Sequence, residues 1–309
     1  MVCAAVLIAA AGGLFAQEDE AIEVSTRIVN VSVAVIDKKG ETVGSLSKDD
    51  FALFDNGKET DIAFFSNQDA PMSFGIVYDL HPATTRQSKS VLRSLKAFTD
   101  TLDANEDFFL TVFNEYGSLN VNFVPSSDQI ARHLSFGERN EPNSLYDAVY
   151  FAGEKLRSRV NQKKTLIIIS DGKDHQSHHG FSELERLLDS FSVQIYAVIL
   201  DKQNIWDYEE LSTDREPSRS RIDESELDKA AIRVLSRDTG GTTSTTPARN
   251  TIQLFKIFER IGGEMRDRYS LGFYPVAGGS HKLDVKLNKP DVRDARLSYR
   301  KSYKLPPRQ

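Results

Sequence analysis

The chain has little cysteine, no excess of positive charge and only one long apolar run. Cys3 is the one cysteine among 309 residues. Removal of a leader segment would delete it and leave a mature chain with no thiol to misoxidise, as suits an oxidising compartment. The formal net charge is −6, which gives no reason to expect binding to nucleic acid or to a membrane surface. The length allows one large domain or two smaller ones with a sizeable core.

The apolar run extends from Ala4 to Ala16 and is followed by the acidic stretch QEDE. It is too short to span a bilayer as an ordinary helix, and it has the length of a signal-peptide core with Ala16 before the cut. No Lys or Arg precedes it. We predict a signal peptide over residues 1–16 and export of the chain. No other stretch is long and apolar enough for a membrane span, so we expect a soluble mature protein.

The common catalytic motifs are also missing. The sequence has no Gly-x-Ser-x-Gly elbow, Walker-type loop, HExxH helix or GxGxxG loop. Ser170, Asp171 and His175 supply the residue types of a hydrolytic triad, but a triad is defined by geometry and not by nearness in sequence. We therefore expect no enzymatic activity, and we keep one enzymatic alternative, a metal-dependent hydrolase built on histidines and aspartates.

The pattern of apolar residues divides the chain into three parts. Residues 24–68 are predicted to form strands and a hairpin, because Ile28 to Ile36 alternates and Asn56-Gly57 is a strong hairpin signal. Residues 69–267 alternate short apolar runs with helical spacing, which predicts a doubly wound, mostly parallel α/β sheet. Residues 268–304 return to strands, and we expect them to pair with residues 24–68 in a small β domain.

Three finer predictions concern single segments. VNFV (Val121 to Val124) is predicted to be a short strand, and ARLSYRKSY (Ala295 to Tyr303) a longer one. Asp201 to Arg221 is polar and charged, and is predicted to be a surface loop. The C-terminal RLSYRKSYKLPPR interleaves Tyr with Arg and Lys; it suits contact with an acidic partner, or an edge strand that cations guard against aggregation.

Four stretches carry a resemblance to a known family. VAVIDKKGETVGSLSKDDFALFDNGKETDIAFFSNQDAP, SLYDAVYFA, LIIISDGKD and YSLGFYP follow one another over residues 33–275, and they resemble the VWFA-related proteins of acidobacteria, which contain a von Willebrand factor type A domain. The resemblance implies a bacterial source, a binding function and a Rossmann-like sheet with one short antiparallel edge strand. Val121 to Val124 is the candidate for that strand.

Many members of the family hold a metal ion in a metal-ion-dependent adhesion site. An Asp-x-Ser-x-Ser loop, a Thr from a second loop and an Asp after the fourth strand provide the hard oxygen ligands that Mg²⁺ prefers. In this sequence Asp79 and Asp171 match the two acids, His81 and Ala83 replace the two serines, and Asn143 falls where the Thr is expected. The resemblance thus implies a degenerate site, with Asp79, Asp171 and Asn143 as candidate ligands of Mg²⁺.

Two other interpretations of these residues stay open. Asp79 and Asp171 can instead cap the following helices or bind loop amides, because Asp is a favoured helix N-cap. Alternatively, His81 and the three histidines of the loop DHQSHHG (His175, His178 and His179) can bind Zn²⁺ together with the aspartates. Asp147, in SLYDA, is expected only to bind backbone within its first helical turn.

From these observations we predict an exported, non-enzymatic module that binds an unknown protein partner. The predicted binding face is the loop end of the sheet: Asp79 to Thr85, which includes His81 and Thr84; Glu141 to Ser144, which includes Asn143; and Asp171 to His179, which includes His175. The alternatives are the hydrolase and a structural envelope protein whose crevice is vestigial.

Overall fold

The structure is a computed structural model. It describes residues 28–67, 70–81, 85–103, 106–126, 128–130, 132, 144–161, 163–174, 177–201, 224–276 and 278–305. The predicted signal peptide and nearly all of the predicted loop between Asp201 and Arg221 lie outside these residues, and so do Ala83, Thr84, Asn143 and His175.

Strands and helices alternate through the middle of the chain. The strands are β1 Val29–Ile36, β2 Phe51–Asp55, β3 Lys58–Thr60, β4 Phe64–Ser66, β5 Met72–Asp79, β6 Asp107–Asn114, β7 Gly117–Val121, β8 Lys163–Ser170, β9 Gln194–Asp201, β10 Thr243–Pro247, β11 Arg268–Phe273, β12 Gly279–Leu287, β13 Arg296–Ser298 and β14 Ser302–Leu305. The helices are α1 Thr85–Thr99, α2 Leu145–Arg157, α3 Phe181–Asp189, α4 Glu224–Asp238 and α5 Thr251–Arg266.

The central sheet has the order β10-β9-β8-β5-β6-β7. All of its neighbouring strands are parallel except β6 and β7, which pair in antiparallel fashion. Numbered along the chain, this is the order 3-2-1-4-5-6 of the doubly wound Rossmann-like sheet. The predicted fold class, with its antiparallel edge strand, is confirmed.

The edge strand itself is not where the sequence pattern placed it. It is β7, Gly117–Val121, and the predicted segment Val121 to Val124 lies almost entirely beyond its end. β7 begins earlier in the chain than predicted, because a tight turn follows β6 directly. In this turn the Asn114 side chain accepts a hydrogen bond from Tyr116 N at 2.9 Å. Phe123, the most apolar residue of the predicted segment, is 53% exposed.

Helices cover both faces of the central sheet and bury its strands on both sides. Every residue of β5 is buried. Helices α1 and α5 pack on one face, and helices α2, α3 and α4 pack on the other. Within the part of the chain that the structure describes, no helix is long and apolar enough to cross a membrane.

Two small antiparallel sheets flank the central sheet, with the orders β13-β1-β11-β4 and β14-β12-β2-β3. The first alternates strands from the end and the beginning of the chain, whereas the second places β14 and β12, from the end, beside β2 and β3, from the beginning. The predicted single strand Ala295 to Tyr303 is wrong, because β13 and β14 belong to different sheets. The chain bends between them at Tyr299, which is buried and whose hydroxyl accepts a hydrogen bond from Val285 N at 3.0 Å.

Arg268, the first residue of β11, joins the flanking sheet β13-β1-β11-β4 to the central sheet. It is 1% exposed. Its Nη1 donates to the Tyr196 hydroxyl of β9 at 3.0 Å, and its Nη2 donates to the carbonyl oxygens of Gly240 at 2.6 Å and Ser298 at 2.8 Å. Beside it the turn after α4 lies so close to the flanking strands that a Cβ on Gly240, which has a φ of +79°, would lie 2.6 Å from the Tyr299 carbonyl carbon, which only glycine permits.

Candidate functional site

The candidate site lies where the order of the central sheet reverses. Strands β5 and β8 are neighbours there, and the crevice at the carboxyl ends of such strands is where doubly wound sheets bind ligands. Asp79 ends β5 and is fully buried, and Ser170 ends β8 and is 2% exposed. The Ser170 hydroxyl donates to Asp79 Oδ2 at 2.6 Å. This hydrogen bond spans the crevice.

His81 is hydrogen-bonded to the other oxygen of the Asp79 carboxylate. Asp79 Oδ1 accepts a hydrogen bond from His81 N at 2.9 Å and lies 2.7 Å from His81 Nδ1. Burial lowers the pKa of His81, but the hydrogen bond and charge of Asp79, with the charges of Glu115 and Asp171, outweigh it, so the pKa is raised above its ordinary value. The imidazole therefore holds a second proton more readily than an ordinary histidine does, and it lies close to the buried carboxylates of Asp79 and Asp171.

Asp171 lies in the turn that follows β8. It is 4% exposed, and its Oδ1 accepts from Lys173 N at 3.1 Å. Gly172 N donates to the Ser170 hydroxyl at 2.9 Å. Gly172 has a φ of +88°, and a Cβ there would come within 2.5 Å of Lys229 Cγ, so the turn requires glycine. The carboxyl ends of β5 and β8 are thus held by the chain's own donors.

A third buried carboxylate, Asp147, lies in the first turn of α2. Its Oδ2 accepts from His178 N at 3.0 Å and lies 3.1 Å from His178 Nδ1. Its Oδ1 accepts from His179 N at 2.9 Å and lies 2.7 Å from His179 Nδ1. Burial raises the pKa of Asp147, but these hydrogen bonds outweigh it and the pKa is lowered. The expectation that Asp147 binds only its own helical turn is wrong, since its partners lie in the loop after β8.

Asp174 fastens the same loop to the beginning of α2. Its Oδ1 accepts from Tyr146 N at 3.0 Å and from the Ser177 hydroxyl at 2.6 Å. That hydroxyl in turn accepts from Asp147 N at 3.0 Å. The first amides of a helix have no partner within the helix, and here the loop supplies acceptors for two of them. Ser144, the predicted site residue just before α2, is 1% exposed.

The described histidines do not converge on one point. His81 binds Asp79, whereas His178 and His179 bind Asp147. The His178 side chain is 90% exposed, and the His179 ring stacks on Tyr150 with the ring centres 3.8 Å apart. Each imidazole therefore has a partner in the protein, and the loop after β8 is a folded element.

The described residues fit a divalent ion poorly. Among them there is no group of three or more His, Cys, Asp or Glu side chains placed to hold a metal. Asp79 Oδ1 already accepts two hydrogen bonds, and Oδ2 accepts one. His81 Nδ1 faces the Asp79 carboxylate, so this nitrogen donates to Asp79 and does not bind an ion there. We derive no step through a metal at this site.

The structure also reveals residues that the sequence did not single out. Asp147, Asp174 and Ser177 link α2 to the loop after β8. Tyr116, in the turn between β6 and β7 at the carboxyl end of β6, is 62% exposed. Its neighbour Glu115 lies 3.7 Å from His81 Nε2. The Tyr116 side chain is therefore exposed to solvent close to the crevice between β5 and β8.

We predict that Asp147→Ala lowers the free energy of unfolding by about 2 kcal/mol, because two backbone amides lose their acceptor at a buried position. Since the pKa of Asp147 is lowered by folding, this stability should be present above its ordinary pKa and disappear as the pH falls through the folded-state pKa. Urea unfolding at neutral and acidic pH measures both. His178→Ala, which removes a mostly exposed ring, is the control; an equal loss in both variants would contradict the prediction.

No family model matches the chain, and no curated protein matches it. Solved structures do match in part. An aerotolerance-related membrane protein from Bacteroides fragilis is 14% identical, with 63% of this chain and 98% of that chain covered and a TM-score of 0.40. A von Willebrand factor type A structure from Catenulispora acidiphila is 11% identical, with coverage of 83% and 72% and a TM-score of 0.42.

The pilus adhesin SpaC from Lactobacillus rhamnosus is 8% identical, with 80% of this chain and 34% of that chain covered and a TM-score of 0.43. Likeness at this level carries no argument about function. The fold class rests on the order and direction of the strands, and membership of the acidobacterial family stays a prediction.

Proposed function

We propose that this protein is an exported, non-enzymatic module that binds a protein partner at the carboxyl end of its central sheet, without a metal ion. The observation that carries the proposal is the Asp79 carboxylate, whose two oxygens are bound by His81 on one side and Ser170 on the other. A doubly wound sheet binds its ligand at this place. In this chain the Asp79 carboxylate holds together the segments that follow β5 and β8.

The described part of the binding face is fixed before a partner arrives. Asp79 holds the loops after β5 and β8 together, and Asp147 and Asp174 hold the loop after β8 against α2. A rigid face loses little conformational entropy when it binds, which favours affinity without a metal bridge. Exposed Tyr116 is the kind of residue that dominates the energy of protein interfaces.

Ser170 gives no support to a serine hydrolase. Its hydroxyl donates to Asp79 and accepts from Gly172 N, so its proton points to a carboxylate and not to an imidazole base. A serine nucleophile needs a base within hydrogen-bond reach. This environment and the missing catalytic motifs support the non-enzymatic proposal.

Site-specific photocrosslinking tests the proposal. A photoreactive amino acid replaces Tyr116, and in a control variant it replaces Tyr274, a tyrosine that is 48% exposed in the flanking region. Both variants are mixed with a cell-envelope extract of the source organism, in EDTA and in Mg²⁺. We expect one discrete protein product at position 116, of equal yield in both buffers, and none at position 274.

Two outcomes would overturn the proposal. A product that forms equally at both positions would mean that the carboxyl-end face is not the binding surface. A product at position 116 that EDTA abolishes would mean that a metal ion completes the face. Equal melting temperatures of the two variants are required, so that a misfolded variant is not mistaken for a loss of binding.

A further inference from the structure

A second candidate surface lies at the opposite end of the central sheet. A groove of about 880 Å³ opens at the amino ends of the parallel strands, between the α2–α3 face and the flanking sheets. The end of α2, the end of α3 with the segment that follows it, the first residues of β1, and β14 line it. It shares no residue with the crevice at Asp79 and Ser170.

The groove is strongly basic, although the chain as a whole is acidic. Five cationic side chains and one carboxylate line it: Arg157, Lys164, Arg186, Arg300, Lys304 and Asp189. The carboxylate is already engaged, because Asp189 Oδ1 lies 3.3 Å from Arg300 Nη2. Arg157 and Arg186 also pair with carboxylates of their own helices, Glu154 at 2.7 Å and Glu183 at 3.8 Å. Three carboxylates thus lie beside the five cations, and positive charge remains in excess.

Two of the cations are partly removed from water. Arg300 is 8% exposed, and Lys164 Nζ donates to the Arg159 carbonyl at 2.7 Å. Burial lowers the pKa of both side chains. A bound anion would offset this cost of desolvation, and the guanidinium of arginine matches a carboxylate in shape and hydrogen-bond geometry.

An edge strand borders the groove. β14 is the outer strand of its sheet and pairs with β12 alone among the described strands. Tyr303, Lys304 and Leu305, three consecutive residues, all line the groove. Since successive side chains of a strand point to opposite faces, the backbone edge of β14 must border the groove. Such an edge offers amides and carbonyls to an added strand.

We propose that this groove binds an extended acidic segment of a partner polypeptide, which adds as a strand to β14. Its carboxylates would pair with Arg186, Arg300 and Lys304, and its alternate apolar side chains would pack on the apolar residues that also line the groove, Ile28 and Phe191 among them. The backbone edge and these apolar residues favour a polypeptide over a nucleic acid. This surface goes beyond the proposed function, which concerns the other end of the sheet.

A short synthetic peptide in which Glu and Val alternate tests the proposal by fluorescence anisotropy on the full chain. Arg186→Glu/Lys304→Glu reverses two groove cations; Lys89→Glu/Lys256→Glu reverses two exposed cations on α1 and α5, on the other face. We expect the groove variant to weaken binding about tenfold or more, since like charges would oppose the peptide, and the control to bind as the wild type does. A peptide with Gln in place of Glu should bind at least about tenfold more weakly.

Several outcomes would overturn the proposal. These are no binding by the wild type, equal weakening by both double variants, equal binding of the Gln peptide, or tighter binding of a single-stranded oligonucleotide. Glu18, Asp19, Glu20 and Glu23 precede Ile28 in sequence. If the peptide binds only after these four are changed to Gln or Asn, the groove serves the chain's own acidic segment and not a partner.

Discussion

Asp79→Ala should lower the free energy of unfolding by about 3 kcal/mol, and it should do so in a buffer that contains EDTA. The side chain is fully buried and accepts from His81 N, His81 Nδ1 and the Ser170 hydroxyl. Removing it leaves these three donors without an acceptor in the interior. Losses of this kind cost about 1–3 kcal/mol for each buried group left unsatisfied.

The same substitution distinguishes a structural role of Asp79 from a role in binding a metal ion. If Asp79 served only to bind a metal, its loss in EDTA would leave stability unchanged, or would raise it by removing one of two neighbouring carboxylates. Asp100→Ala is the matched control, because Asp100 is exposed and pairs with Lys96 on the surface. Surface ion pairs of this kind contribute about 0–1 kcal/mol. Urea unfolding followed by circular dichroism gives the values for both variants.

Arg268→Met should have a still larger effect, a loss of about 4 kcal/mol. The substitution keeps part of the apolar stem but removes every donor to Tyr196, Gly240 and Ser298. These acceptors come from the central sheet, from the turn after α4 and from the flanking sheet. A buried polar group that is left unsatisfied costs about 1–3 kcal/mol, and three acceptors lose their donor here.

Arg296→Met tests whether this effect belongs to the buried position. Arg296 is also an arginine of the flanking sheet, in β13, but it is exposed. We expect it to change the free energy of unfolding by less than about 0.5 kcal/mol, as for other surface positions. Similar losses in the two variants would show that Arg268 does not join the layers in the way described above.

The strands that the sequence predicted well are those buried on both faces or regularly alternating. Among the short apolar runs that predict the α/β sheet, Phe74 to Asp79 lies within β5 and Thr165 to Ser170 lies within β8. A run of apolar residues must be buried whatever its neighbours are. Two edge strands were placed poorly or missed. β7 contains the polar Ser118 and Asn120, and β10 is the segment TSTTP. An edge strand is fixed by the strand beside it more than by its own composition.

The candidate site was predictable only in part, and the reason is distance along the chain. Asp79 and Asp171 could be located because each follows a buried strand, and parallel strands end at the same edge of a sheet. The pairing of Asp147 with His178 and His179 joins residues 31 and 32 positions apart. It depends on how α2 sits beside the loop after β8, which no local pattern encodes.

The central claim, a binding face held together without a metal ion, is tested most directly by thermal melting of the untagged protein with and without divalent ions. An ion that binds the folded state must raise the melting temperature by mass action. We predict the same melting temperature in EDTA, Mg²⁺, Mn²⁺ and Zn²⁺, because the oxygens of Asp79 are bound to His81 and Ser170. A rise with Mg²⁺ that disappears in Asp171→Ala would contradict the claim.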